Sequence, residues 1–441
     1  MTVTQEHSAP RTAALPPLVT ESFDVASTPD SLERLTVLTR EYGDIFRVYA
    51  PGRKSDTWVI NNPGDIRRAL VTNHRNYTKG FGFDRIRLLL GNGIIVTEGE
   101  LWKRQRRMMQ PLFTRRVIET YAALVDRVVN ARLARWEDLG ARGEIIDITE
   151  EMSRMTLDIV LSSIFGRDVD WLTERMGVNP FLMVTDDSAR DPRFAYKFRS
   201  LGRLVSELAE KRDASDEEHH DFLAALMLAR DKETGDPMPA RELIDETLTL
   251  VVAGHETSAS ALAWVWYLLS QHPDAERRLH EELASIPDHP GLTYQDTEAL
   301  KYTQGVIQEA MRLYPPGWVF TRRAIADDQL SGYTIPAGTD LLICPFTIHR
   351  HPAHWEAPGE FRPERFIVEN PRDRWVYIPF AAGPRHCIGE NFAMYEMTVH
   401  VSRAARRWRL EYIDDGPIEL EAAINLRTKR GIRMRLVPRT S

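Results

Sequence analysis

Phe380-Ala381-Ala382-Gly383-Pro384-Arg385-His386-Cys387-Ile388-Gly389 decides how this chain is read. Glycines at 383 and 389 bracket a lone cysteine, and an apolar helical pattern starts directly after it. A thiolate there receives backbone N–H donors and the positive end of a helix dipole, and both favour the ionised form. The glycines let the backbone turn tightly and approach a flat ligand closely. Phe380 is placed to shield the sulfur from water, and Arg385 to neutralise an anionic group on the ligand. The plainer alternative is a buried structural cysteine in a turn, and the flanking glycines weigh against it.

The rest of the chain sets bounds on that reading. It has 441 residues, with 57 Lys+Arg against 64 Asp+Glu and a formal net charge of −7. With 43% hydrophobic and 27% charged residues, it has the composition of a globular protein rather than a disordered one. The acidic balance argues against a general nucleic-acid binder, which carries a strongly basic domain. Only two cysteines occur, Cys344 and Cys387, so no disulfide framework is expected, and a cytoplasmic location fits. Cys344 has no motif around it and reads as a small buried apolar residue. Residues 1–19 are polar and Pro-rich and lack the apolar core of a signal peptide. The most apolar long stretch, 243–270, is interrupted by Asp245, Glu246, His255 and Glu256. A bilayer span needs about 20 mostly apolar residues with few charges. The stretch therefore reads as a long buried helix, and no membrane anchor is expected.

Working outward, residues 1–27 read as a flexible lead-in, and 28–441 as one catalytic domain. A helix signal begins at Thr28-Pro29-Asp30-Ser31 and ends around Tyr42-Gly43, followed by strands over 45–49 and 57–60. Signals from 63 to 285 are mainly helical, with 212–220 a charged, exposed connection. Past Pro315 short strands and turns appear, then an irregular stretch from 349 to 389, one more helix and closing strands. Irregular segments of about 40 residues inside a compact chain are uncommon and usually functional. The fold class is mainly α with a minor β region.

With its arginine and glycines in place, the Cys387 segment resembles the haem-binding signature of the cytochrome P-450 family, Phe-x-x-Gly-x-Arg-x-Cys-x-Gly. The match falls on Phe380, Gly383, Arg385, Cys387 and Gly389 without departure. The resemblance implies haem b (iron protoporphyrin IX) as cofactor, Cys387 as the thiolate ligand to its iron, and Arg385 on a haem propionate. Three further matches follow in the family's order along the chain. Glu309-Ala310-Met311-Arg312 matches Glu-x-x-Arg, whose ends share a helix face. The family locks this pair onto an arginine that matches Arg365 in Phe361-Arg362-Pro363-Glu364-Arg365-Phe366. The implied triad of Glu309, Arg312 and Arg365 is scaffold.

Ala253-Gly254-His255-Glu256-Thr257-Ser258 matches the family's oxygen-activating motif in the long helix. Glycine, acid and hydroxyl in mid-helix run against helix propensity, as functional sites often do. The resemblance implies a widened turn at the glycine, Thr257 bonding dioxygen and Glu256 relaying protons. The other reading of Thr257 is a core hydroxyl bonded back to a carbonyl four residues earlier. A zinc helix is excluded, since His-Glu-x-x-His needs histidine where Ala259 stands. Trp102-Lys103-Arg104-Gln105-Arg106-Arg107 matches Trp-x-x-x-Arg, so that Trp102 and Arg106 share a helix face and bind a propionate together. With Arg115 and Arg116 the stretch forms a basic patch, read either as a solvated face or as a dock for an acidic electron donor. Arg322 is implied at the second propionate, with Arg323 an adjacent alternative.

The resemblance spans about residues 28–436. It implies the P-450 fold, with haem between the long central helix and the Cys-ligand loop. The implied reaction is monooxygenation. Two electrons and two protons cleave dioxygen, one atom leaving as water and the other entering an apolar small molecule, and thiolate donation favours the cleavage. Electrons come from a separate donor, a ferredoxin or flavodoxin with its reductase. Following the family's layout, the substrate pocket is expected to use Phe81, Phe83, Leu89, Ala253, Trp318, Val319, Phe320, Ile424 and Leu426, each of which reads equally as plain core. Fatty acids, terpenoids, polyketides and aromatic metabolites all stay open as substrates. A peroxide-driven enzyme and a haem sensor are the alternatives; the intact Glu256–Thr257 pair favours dioxygen over the first, and the lack of an output module counts against the second. Gly80-Phe81-Gly82 and Gly91-Asn92-Gly93 lack the third glycine of a dinucleotide fingerprint.

Overall fold

Two regions organise the protein: a helical body built around one long helix, and a six-stranded sheet at its flank. The computed structural model describes residues 15–25, 28–186, 192–286, 289, 291–368 and 374–439. The helices that matter for the site are α1 (Gly99–Met109), α2 (Ile148–Phe165), α3 (Ala240–Gln271), α4 (Lys301–Leu313) and α5 (Glu390–Arg407).

Helix α3 runs for 32 residues, about 48 Å at 1.5 Å per residue. It is apolar over more of its circumference than a surface helix, as a central helix must be. Asp245, Glu246, Leu248, Val251, Ser258 and Leu262 are all buried. Helix α2 packs along it and starts at an N-cap, Asp147, whose side chain accepts from the amides of Thr149 and Glu150. Gly254 permits the contact: a Cβ there would lie 2.9 Å from a Val160 methyl. Helix α3 is α-helical without interruption, so the widened turn implied at Gly254 is not present.

The sheet draws on distant parts of the chain. Its strand order is Leu18–Ser22, Ile45–Ala50, Ser55–Ile60, Asp340–Ile343, Phe320–Ala324 and Tyr77–Lys79. The edge pair is antiparallel, with Tyr77, Thr78 and Lys79 opposite Ala324, Arg323 and Arg322. The first strand corrects part of the lead-in: Leu18–Ser22 pairs beside Ile45–Ala50, and Val19 and Phe23 are buried in that core. The exposed connection over 212–220 is corrected at its first residue. Arg212 is buried, donating to Asp168 at 2.9 Å, to Asp221 at 2.7 and 2.8 Å, and to the Phe165 carbonyl at 2.9 Å. Two of those partners, Asp168 and Phe165, lie 44 and 47 positions away in the chain, so local charge did not reveal the burial.

The irregular segment is held by α4. Glu309 takes four N–H donors: Nε and Nη2 of Arg312 at 2.7 and 2.8 Å, the Arg362 amide at 2.8 Å and Arg365 Nε at 3.2 Å. Arg312 also donates to the carbonyls of His349, Pro358 and Glu360. One buried ion pair thus satisfies backbone groups that no helix or strand could. Cys344 is fully buried.

Candidate active site

Phe380 to Gly389 close into a loop ahead of α5. The Cys387 amide donates to the Phe380 carbonyl at 2.9 Å, and the His386 amide to Gly383 at 3.0 Å. Gly383 has φ +73°, and a Cβ on it would lie 2.0 Å from the Leu70 carbonyl oxygen, so no other residue fits. Ala381 also adopts a left-handed φ of 58°, unusual for a residue with a side chain. The loop presents Cys387 to a cavity of about 420 Å³, to which the sulfur is exposed. Burial in protein pushes the Cys387 thiol above its ordinary range, against the Gly389 and Glu390 amides and the Arg106 charge, which pull it down. The donors read from the sequence are present, but desolvation outweighs them. A coordinating metal inverts that balance and deprotonates the thiol.

Ala253, Gly254 and Thr257 of α3 line the same cavity, as do Leu89, Val319, Phe320, Ile424, Phe380 and Arg385. Thr257 Oγ1 donates to the Ala253 carbonyl at 2.8 Å, which is the back-bonded geometry of the plainer alternative. Glu256 lies off this chamber. It borders an adjoining cavity of about 380 Å³ and a polar one of about 370 Å³, and accepts from Asn425 Nδ2 at 2.7 Å. Phe81, Phe83 and Trp318 line the adjoining cavity rather than the main one. Leu426 lines neither. It is fully buried in strand Leu426–Thr428, its amide donating to the Pro316 carbonyl and its carbonyl accepting from Ser260. Ile424 lies in the turn ahead of that strand, so strand alternation does not hold the two residues to one face, and Leu426 joins the core beside the sheet.

One edge of the site is cationic. The Arg385 guanidinium lies 3.8 Å from the centroid of the Trp102 ring and donates to the Thr97 carbonyl and to Glu98. Arg106 donates to the His386 carbonyl at 2.9 Å. Arg322 is buried, and desolvation pushes it down to about 10. Arg323 instead faces out in a two-pronged pair with Asp340, at 2.9 Å on both arms, so of the two only Arg322 is turned inward. The basic patch is largely neutralised: Lys103 pairs with Glu100, Arg104 with Glu242, Arg107 with Asp231 and Glu233, and Arg115 with Glu298.

Sequence reasoning missed Ile86, Leu90, Val160 and Leu250 in the cavity wall. Ile86 stands three residues before Leu89 on one helix and was findable by period; Val160 has no motif around it. It also missed Glu396, a buried carboxyl on α5 that borders the cavity and is pushed up to about 8 by burial.

The profile of one family, Cytochrome P450, matches residues 10–188 and 196–431. The chain belongs to the cytochrome P450 family. Among characterised P450 relatives, it is 34% identical over 397 residues to cyclooctatin synthase of Streptomyces melanosporofaciens, covering 86% of this chain and 85% of that one. Cyclooctat-9-en-7-ol 5-monooxygenase of the same organism is 33% identical over 388 residues, covering 84% and 83%. Pentalenene oxygenase of Streptomyces avermitilis is 31% identical over 394 residues, covering 85% and 87%. The protein is accordingly a haem-thiolate P450 monooxygenase that uses dioxygen, electrons from a redox partner and a small-molecule substrate. Among the described residues, no helix is long and apolar enough to cross a membrane.

The residues fit P450 haem. A single soft sulfur faces a mostly apolar chamber, the Gly383 backbone is packed with no room for a Cβ, and buried cations gather beside the Arg385 edge. That donor set suits a flat apolar group with one axial thiolate and anionic tails.

Proposed function

We propose that this chain oxidises a largely hydrocarbon terpenoid, with Cys387 holding the haem iron and Thr257 and Glu256 managing protons. The observation that carries the reading is that Cys387, Thr257 and the apolar residues Leu89, Ala253, Val319, Phe320 and Ile424 share one chamber. When bound, haem supplies the redox chemistry of oxygen cleavage. The chain's own residues do the rest. Trp102, Arg106, Arg322 and Arg385 hold the propionates, and Phe380, Gly383 and Gly389 shape the Cys387 loop. The Thr257 hydroxyl turns from the Ala253 carbonyl to donate to dioxygen, and Glu256 passes protons in from the polar cavity it borders. The chamber's apolar wall excludes water and orients a substrate by shape rather than by charge.

The names of the relatives support the substrate class, since they give a cyclic alcohol, cyclooctat-9-en-7-ol, and pentalenene. Arg85, Thr321 and Arg427 border the outer cavity, which suits a polar group on an otherwise apolar ligand. A ferredoxin or flavodoxin with its reductase supplies the electrons, and the protein works in the cytoplasm, in keeping with two unpaired cysteines. Titrating the haem-loaded protein with a panel of cyclic terpenoids and fatty acids, and following the spin-state shift of the Soret band, tests the class. A saturable shift with terpenoids alone is expected; a shift with fatty acids alone would overturn it.

A further inference from the structure

Lys79 and Arg322 break a rule of sheet pairing. They stand directly opposite each other on antiparallel strands, so both side chains leave the same face. Directly opposed cations are destabilising, and burial makes the repulsion worse. Desolvation pushes the Lys79 ammonium well below its ordinary range, with Arg322 and Arg385 adding to the shift. Arg322 is lowered by burial first and then by the neighbouring Arg385 charge.

The residue set against them is Glu98. It is the carboxylate that acts on all three cations. One Glu98 oxygen is occupied by the Lys79 backbone amide at 2.7 Å and the other by the Arg385 guanidinium. Among the described residues, neither the Lys79 ammonium nor the Arg322 guanidinium forms an ion pair. Arg322 donates to the carbonyl of its own neighbour, Thr321, and Lys79 lies 4.6 Å from the Phe83 ring centroid. Arg106, a fourth cation on this edge, donates to the His386 carbonyl and sets its charge against Cys387. Glu98 pairs with Arg385 and leaves the Lys79 and Arg322 charges without an anionic partner among the described residues. A protoporphyrin brings two carboxylates.

We propose that Lys79 is a further haem anchor, its ammonium taking one propionate beside Arg322 so that the two propionates neutralise what Glu98 leaves over. The strand pairing that looks unfavourable without an anion becomes the reason the strand closes over the cofactor edge. Glu98 ties Arg385 and the Lys79 backbone together and leaves the Lys79 ammonium and Arg322 for the cofactor's carboxylates. The proposal rests on haem binding by this family and adds a residue from Tyr77–Lys79, ahead of the Trp102 helix.

The test compares haem-loaded native protein with Lys79→Met, which keeps an unbranched chain of similar length without the charge, and Lys79→Arg, which restores the charge. Haem transfer to excess apomyoglobin and the propionate bending bands in the resonance Raman spectrum are the readouts. Lys79→Met is expected to lose haem about tenfold faster, the scale of one charge-assisted hydrogen bond. Its propionate band should move while the iron–sulfur stretch does not, and Lys79→Arg should sit near native on both counts. Native transfer and an unmoved propionate band in Lys79→Met would overturn the proposal. So would equal losses in both variants, which would make the role steric. A native chain that takes up no haem would overturn it too, together with the haem-binding reading, and the absent Soret band tells that failure from the others.

Discussion

Asn425, in the turn of the C-terminal hairpin, donates to the Glu256 carboxylate at 2.7 Å and ties that hairpin to the middle of the long helix. The bond places the acid at the junction of the polar cavity with the substrate side, where Asn425 borders all three chambers. Asn425→Ala should lower the fraction of electrons that end in product by several-fold, since a charged acceptor loses a donor. Asn425→Asp should shift the pH profile of turnover to higher pH, because two adjoining carboxylates hold a proton more tightly. Product formed per NAD(P)H consumed, measured across pH, checks both.

The Glu309 cluster should respond far more strongly in stability than in chemistry. Glu309→Gln leaves Arg312 buried without its charge partner, and the expected loss is about 3–5 kcal/mol. Urea unfolding of the haem-loaded protein measures it. A loss below about 1 kcal/mol, the scale of an exposed pair, would mean the triad does not carry the irregular segment.

Cys387→Ser should abolish the Soret band of the reduced carbon monoxide complex that marks thiolate ligation, because an alkoxide or neutral hydroxyl lacks the soft donor sulfur provides. A normal band in the variant would remove Cys387 as the ligand.

Asp328 accepts from Arg68 at 2.8 Å, Asn73 at 2.9 Å and Tyr77 at 2.6 Å, and these bonds hold its carboxyl at about 2 despite burial. The folded value lies below the unfolded one, so its contribution is complete above about pH 4 and lost as pH falls through about 2. Asp328→Asn should cost about 2 kcal/mol at neutral pH and flatten the stability curve between those limits. Acid titration of the urea midpoint in the two proteins checks it.

Two buried histidines and two buried glutamates give a second pH effect of opposite parts. Burial drives His349 and His400 down to about 3, so their contribution is present above about pH 6.5 and fades below it. Burial drives Glu246 and Glu396 up to about 8, so theirs is present below about pH 4.5 and fades as pH rises to 8. Between about pH 4.5 and 6.5 the two slopes oppose each other, and stability should be nearly flat there and decline toward pH 8. Glu246→Gln, which keeps an acceptor for the Ile94 amide, should remove part of that alkaline decline, about 1.4 kcal/mol per pH unit at most.

What could be read ahead of the structure was whatever carried its own local signature. Phe380 to Gly389, Glu309 with Arg312, and Trp102 with Arg106 are fixed by spacing on one loop or one helix face; the structure sets Trp102 and Arg106 against Arg385 and His386 of the cysteine loop and pairs Glu309 with Arg312 under the irregular segment. The first helix was legible at both ends, stopping at Gly43 with φ 82°. Leu426 was misplaced because a three-residue strand carries too short a period to show its face. The neutralised arginines were missed because Glu242, Asp231 and Glu298 lie 138, 124 and 183 positions away in the chain. Lys79 opposite Arg322 is a fact of strand register, and register is set by partners that composition does not name.

The order in which the sheet is strung has a consequence for biosynthesis. Strand Ser55–Ile60 waits for Asp340–Ile343, and Tyr77–Lys79 for Phe320–Ala324, before each has its inner neighbour, and the cysteine loop emerges later still. A nascent chain on the ribosome can pack much of α2 against α3 but lacks Arg322 until about its last quarter is being made, and Arg385 and the Cys387 sulfur until about its last eighth. Such long-range closure is intrinsically slow. Cofactor capture in this protein is therefore a finishing step, and a cell short of haem should accumulate a helical body with an unclosed flank rather than an unfolded chain.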